Sequence, residues 1–262
     1  MSLPRLCALA SLISLTALLT VGTPAQAGDA AARKALGFSP DGTIFAFEQY
    51  STLYDSTENV VEIQIIDTRT DTFVKGSPFS VRTKDDDERE RELDAVRAEL
   101  LKRAEPTLAR LKVGETGEHL PGKPSIDLDE VGIYQLAKDP LAKTQEITLA
   151  GGRKAKLTIA ETAFGKSSCY GAGGRGTFGD VIVQGLTLTL TMDDGASMIL
   201  QMDKRLPKSR RCVTAYGLAE AWLHEAADGT QTLAVLIETV DAHEFHAGPN
   251  RRFMAVTKRL PR

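Results

Sequence analysis

The chain has 262 residues, with 32 lysines and arginines against 35 aspartates and glutamates, giving a formal net charge of −3. That near balance excludes a basic field able to hold phosphate backbones by counterion release, so nucleic acid is not an expected partner. Tight binding to anionic lipid is disfavoured on the same ground.

The N-terminus carries one positive charge, Arg5, followed from Leu6 to Val21 by apolar, Ser and Thr residues alone. A membrane-spanning helix needs about 20 apolar residues and a signal-peptide apolar region only about 7 to 15, so this run fits export better than anchoring. Gly22 and Pro24 break it, and Ala25-Gln26-Ala27 is the small-x-small pattern of a cleavage site. Residues 1–27 are therefore expected to be a cleaved signal peptide, leaving a periplasmic or secreted protein that starts at Gly28. The longest later apolar stretch, Val181 to Leu190, is interrupted by Gln184, Gly185 and Thr residues, so the mature chain is expected to have no transmembrane segment. Cys7 leaves with the signal, and the remaining pair, Cys169 and Cys212, reads as a disulfide in an oxidising compartment. Closing that loop would restrict the unfolded chain by about 4 kcal/mol. A redox pair or a pair of metal ligands is the alternative, although the first usually appears as Cys-x-x-Cys and the second needs further ligands.

From Leu36 to Val81 the pattern is β. Phe38-Ser39-Pro40-Asp41-Gly42 reads as a tight turn, and Thr43 to Gln49, Val60 to Asp67 and Thr72 to Val74 read as strands. Asp85, Asp86, Asp87 and Glu88 then open a charged segment in which Leu93, Val96, Leu100, Ala104, Leu108 and Leu111 recur at helical spacing. This predicts an amphipathic helical insertion over about residues 85–112, its acidic start complementing the helix dipole and its Pro106 kinking or splitting it. Gly114 to Pro124 reads as loop. Strands are expected again at Thr144 to Leu149, Lys154 to Ala160, Val181 to Met192, Ala196 to Met202, Cys212 to His224, Thr230 to Val240 and Arg252 to Thr257. Ala219 to Glu225 reads equally well as helix. Asp193-Asp194-Gly195 and Ala227-Asp228-Gly229 carry the Asp-Gly signature of hairpins. The expected fold class is mainly β (α+β), one domain over residues 28–262. It is a β-sandwich or partly open barrel of about ten short strands with one amphipathic helical insertion. Phe38-Ser39-Pro40-Asp41-Gly42 with Phe45-Ala46-Phe47 also resembles a propeller blade phrase, but it occurs once and a propeller needs it repeated.

Several phrases taken together carry a family resemblance. They are Gly37 to Gly42 with Phe45-Ala46-Phe47-Glu48, Ile65-Ile66-Asp67-Thr68 leading to Gly76-Ser77-Pro78-Phe79, Pro207 to Cys212, and Gly248 to Thr257. In this combination the chain resembles the bacterial predicted-secreted-protein family known as domain of unknown function 2259. The resemblance implies export, and it brings no catalytic residues with it.

Four groups of side chains invite a functional reading. His243 and His246, beside Asp241 and Glu244, are the densest metal-capable set, in a segment expected to be a loop. The Gly171 to Gly176 stretch holds Arg175 among exposed amides, but a strand follows rather than the helix that phosphate-cradling loops require. The doublets Arg210-Arg211 and Arg251-Arg252 would form one anion-binding patch if their flanking strands pair, with surface salt bridges as the plainer account. For catalysis, His119, His224, Ser167, Ser168 and Ser209 are present without a nucleophile-elbow phrase, and Asp193-Asp194 more simply shapes a turn. The sequence thus points to a non-catalytic binding or interaction module of the cell envelope, needing no cofactor and taking an envelope protein or small anionic ligand. An envelope hydrolase with a site assembled from distant residues, or a metal-binding protein using His243 and His246, is the alternative.

Overall fold

The structure, a computed structural model, describes residues 31–53, 57–84, 91–120, 141–167, 181–205, 210, 212–241 and 250–261. Thirteen strands among these residues form three antiparallel sheets, with one α-helix. The first sheet holds β1 (Ala32–Phe38), β2 (Ile44–Thr52), β3 (Asn59–Asp67), β4 (Thr72–Phe73) and β5 (Phe79–Arg82), the last two both pairing with β3. After α1 (Leu93–Arg110) comes β6 (Glu118–Leu120). The second sheet is built from β7 (Thr144–Thr148), β8 (Lys154–Ser167), β9 (Val181–Met192) and β10 (Ser197–Met202) in the order β10-β9-β8-β7. The third joins β11 (Val213–Glu225), β12 (Gln231–Asp241) and β13 (Asn250–Leu260) to the earlier β6, in the order β13-β12-β11-β6.

This third sheet is central, because alternate residues of its strands are buried against different partners. On β12, Leu233, Val235 and Ile237 join an aliphatic core with Leu157, Ile159, Leu186 and Leu188 of the second sheet. The intervening Ala234 and Leu236 pack instead with Phe45, Phe47 and Ile66 of the first sheet. A strand buried on both faces has no polar side, which is why Leu233 to Ile237 reads as an unbroken apolar run rather than an alternation. The outer face of the first sheet, with Val61, Ile63 and Ile65, receives Val96, Leu100 and Ala104 of α1. The layers thus run helix, first sheet, central sheet, second sheet, and the sheets stack as a sandwich with one more layer than two.

The helix starts at Leu93, later than the acidic cluster suggested; Asp85 to Glu88 lie outside the described residues, and Asp94 is the acidic residue of the first turn. Nor does Pro106 split it, since Leu93–Arg110 is one element with the proline inside. Pro106 and Lys102, whose carbonyl loses its donor, are both on the exposed side, where water serves that carbonyl while the apolar stripe holds the helix down. The stretch expected to be loop before residue 124 contributes the short β6, paired with β11 through Leu120, His119 and Glu118. Residues 219–225, ambiguous in the sequence, are strand: Ala221 to Glu225 pair with β12 after a bulge between Leu218 and Glu220. Both Asp-Gly hairpins form, with Gly195 and Gly229 at φ of 87° and 78°. In the first, Asp194 accepts the amide of Ala196 at 2.8 Å, so its carboxylate shapes the turn.

The Ser39 to Thr43 turn locks the first sheet to the central one. Asp41 Oδ1 accepts the Ser39 hydroxyl at 2.6 Å and the Thr43 amide and hydroxyl at 3.1 and 2.8 Å. Gly42 has φ +67°, and a Cβ there would stand 2.8 Å from Thr232 Oγ1 on β12. Only glycine permits both the turn and that approach.

Candidate functional site

Where the first sheet extends past the edge of the central sheet, β13 is left without a neighbouring strand on one side. The floor of a cavity of about 880 Å³ follows this edge. One wall comes from β3, β4 and β5, through Glu62, Gln64, Phe73 and Ser80; the opposite wall brings Gln201 at the end of β10 together with Arg210. Arg252, Thr239 and Asp241 complete it from the central sheet, so all three sheets contribute.

Successive residues of an antiparallel strand turn their N–H and C=O groups alternately toward and away from a given neighbour. On β13 the groups facing away from β12 belong to residues 251, 253, 255, 257 and 259, and three of these five positions are capped. The amide of Ala31 donates to Arg251 O at 3.1 Å. At Phe253 the side-chain amide of Gln49 both accepts the N–H, at 2.9 Å, and donates to the C=O, at 3.2 Å. Asp71 Oδ1 accepts the Thr257 amide and hydroxyl at 2.7 and 2.8 Å. Ala255, which lines the cavity, lacks such a cap among the described residues.

Electrostatics differ between the walls. Asp203, with its side chain 2% exposed, pairs with Arg210, accepts the Leu186 amide at 2.8 Å and takes a donation from Gln201 at 2.9 Å. Tyr216 stands beside Arg210 and donates to Gln184 O at 3.0 Å; burial pushes its phenol pKa up. Arg252 donates to Ser51 Oγ at 3.1 Å. Burial likewise raises the carboxyl pKa of Asp71, with the two Thr257 donations opposing it.

The two arginine doublets do not meet as one patch of four. Arg210 and Arg252 line the same cavity, but Arg251 follows the alternation to the opposite face of β13 and forms a buried ion pair with Glu238 at 2.6 Å. Arg211, Arg175, His243, His246 and Cys169 lie outside the described residues. Cys212 directly precedes β11. Among the described residues no three His, Cys, Asp or Glu side chains gather to hold a metal ion, and no helix is long and apolar enough to cross a membrane. His224 is stacked on Phe38 at 5.2 Å and bonded to Pro40 O at 3.1 Å, while His119 is against Trp222 at 4.6 Å, so both rings have packing roles.

Gln49, Gln64 and Asp71 were not singled out by sequence, although Gln49 left a trace. It continues the face set by Phe45 and Phe47, and a glutamine in an apolar register marks a polar group held inside.

Comparison with known proteins gives one assignment. The chain belongs to the family described as predicted secreted protein (DUF2259), which it matches over residues 46–259. No curated protein and no solved structure matches it.

Proposed function

We propose that this member of a predicted secreted family is a non-catalytic binding module of the cell envelope, whose cleft along β13 holds a small polar ligand bearing an anionic group. The observation that carries this reading is the cavity of about 880 Å³ to which all three sheets contribute amide, hydroxyl and guanidinium side chains. Such a volume suits a small molecule, and convergent polar groups at the meeting of layers are what fixes a ligand's orientation. Arg210 and Arg252 supply the charge-assisted donors. In this reading residues 1–27 are removed on export, residues 28–262 fold as one domain in the periplasm or the medium, and Cys169 bridges to Cys212.

Among the carboxylates lining the cavity, Glu62, Asp71 and Asp241, burial raises the pKa of Asp71. Its Oδ1 already caps the β13 edge through Thr257, so binding is the better account. Metal binding at His243 and His246 rests on the sequence alone and predicts metal in the purified protein.

Mass spectrometry of the protein exported to a periplasm tests the reading. Native spectra are expected to show a retained ligand mass that disappears on denaturation and is absent from Arg252→Gln. Alkylation of the mature chain is expected only after reduction. A wild-type protein with no retained mass, and no binding of succinate, citrate or phosphate, would sink the anionic-ligand reading.

A further inference from the structure

We infer that the ligand of this cleft is a short peptide in extended conformation, pairing through one residue with the backbone of Ala255. This rests on the cleft being a binding site, as proposed above, and deepens that reading by naming the ligand class. An extended segment that adds to a strand edge gains affinity from main-chain hydrogen bonds, and the pockets around its side chains give selectivity.

The edge of β13 already shows the required pairing. The Gln49 carboxamide meets Phe253 as a neighbouring strand residue would, its oxygen taking the N–H at 2.9 Å and its nitrogen serving the C=O at 3.2 Å. It is an amide of the protein's own, docked two residues from Ala255 in the geometry that a ligand amide would adopt. Ala255 offers the same donor and acceptor pair, on the floor of the cleft, with no hydrogen-bond partner among the described residues. A residue step along a strand is about 3.3 Å, so the interval between the Gln49 cap and the Asp71 cap spans about 13 Å. That interval accommodates a peptide of about three or four residues paired at its middle.

The walls suit the rest of such a ligand. Gln64, Thr72 and Ser80 present polar groups beside the apolar surfaces of Ile66, Phe73 and Val81, a mixture matched to peptide bonds and alternating side chains. Arg210 and Arg252 at the same cleft favour a peptide with a free carboxylate. The caps also set an upper limit on pairing. With Phe253 and Thr257 occupied by the protein's own side chains, a long strand cannot zip along the edge, so recognition is confined to one paired residue.

The test titrates an equimolar pool of N-acetylated tripeptides with free carboxylates into the full mature protein, with succinate as the anion lacking an amide. Binding is followed by calorimetry and by amide hydrogen exchange. The peptides are expected to bind and to slow exchange at Ala255 by about tenfold or more. Ala255→Pro is expected to weaken peptide binding by about tenfold, since it deletes an outward N–H while sparing the β12 ladder. Exchange in the wild type needs no variant, so a failure of Ala255→Pro to fold leaves the inference open to refutation. Peptide binding without protection of Ala255 overturns it. Succinate binding that depends on Arg252, with no peptide binding, overturns it and leaves the anion-binding reading standing; no binding of either overturns both.

Discussion

The two faces of the central sheet are built from different chemistry. Toward the second sheet the contacts are almost wholly aliphatic, with Leu157, Leu188, Val235 and Ile237 each 5% exposed or less. Toward the first sheet, aromatic rings share the interface with buried polar groups, Gln49 and Glu238 with Arg251, and with the half-buried pair of Arg33 and Glu220. The aliphatic side chains interdigitate freely and leave a cavity of about 140 Å³ among Leu149, Leu190, Met198 and Leu260. The mixed face must keep each polar group at a partner, and it gives way to a cleft where the sheets part. The faces are thus held differently, by apolar interlock toward the second sheet and by rings with partnered polar groups toward the first.

Breaking the buried pair should have the largest effect. Glu238→Ala is expected to cost about 3–5 kcal/mol in urea unfolding, because Arg251 stays buried without its carboxylate. The double replacement Glu238→Met with Arg251→Met should recover most of that loss; if it does not, the pair contributes more than its removal implies. Leu157→Ala on the opposite face should cost about 2–5 kcal/mol, equally at pH 4 and pH 7, since no charge is involved. A pH-dependent loss there would erase the contrast between the faces.

A smaller effect is expected at the turn that locks the first sheet. The Ser39 hydroxyl, with the Thr43 amide and hydroxyl, holds Asp41 at a pKa of about 2, below its ordinary 3.8. The associated stability is present above pH 3.8 and fades as the pH falls toward 2. After allowance for solvent screening, Asp41→Asn should lose about 1 kcal/mol at pH 7, with the difference from wild type closing in acid. Asp71→Asn should have the smallest effect and the opposite sign. Burial raises the Asp71 pKa, so the ionised form is a cost that grows as the pH rises through the folded value. The asparagine keeps Oδ1 for Thr257, and thermal melts should show it more stable than wild type at neutral pH, with the advantage vanishing below the usual carboxylate range.

Local features of this fold were legible where they depend on a few neighbouring residues. The Asp-Gly hairpins, the helical stripe from Leu93 to Leu111 and most strand centres follow from turn chemistry and periodicity. The grouping into sheets was not, because β6 directly follows α1 in sequence yet pairs with the distant β11, a contact that only tertiary packing decides. Residues 219–225 escaped a firm reading because burial on both faces erases the alternation that identifies a strand. In the site, the sequence pointed to the arginines but not to their ion-pair partners. Asp203 and Glu238 give no sign in isolation of which cation they will hold. The caps on β13 were less visible still, since each joins side chain and backbone across a long interval of sequence.

Those same caps constrain the order in which the molecule can assemble. Gln49 and Phe253 are separated by 204 positions, and Asp71 and Thr257 by 186. The inner face of the first sheet is therefore covered in part by the strand that follows every other in the chain. A polypeptide emerging from its N-terminal end exposes Phe45, Phe47 and Ile66 until β13 arrives, and contacts of such range form slowly. Closure of this face therefore waits on the last of the described strands, so that the slowest contacts to form are also the ones that border the cleft.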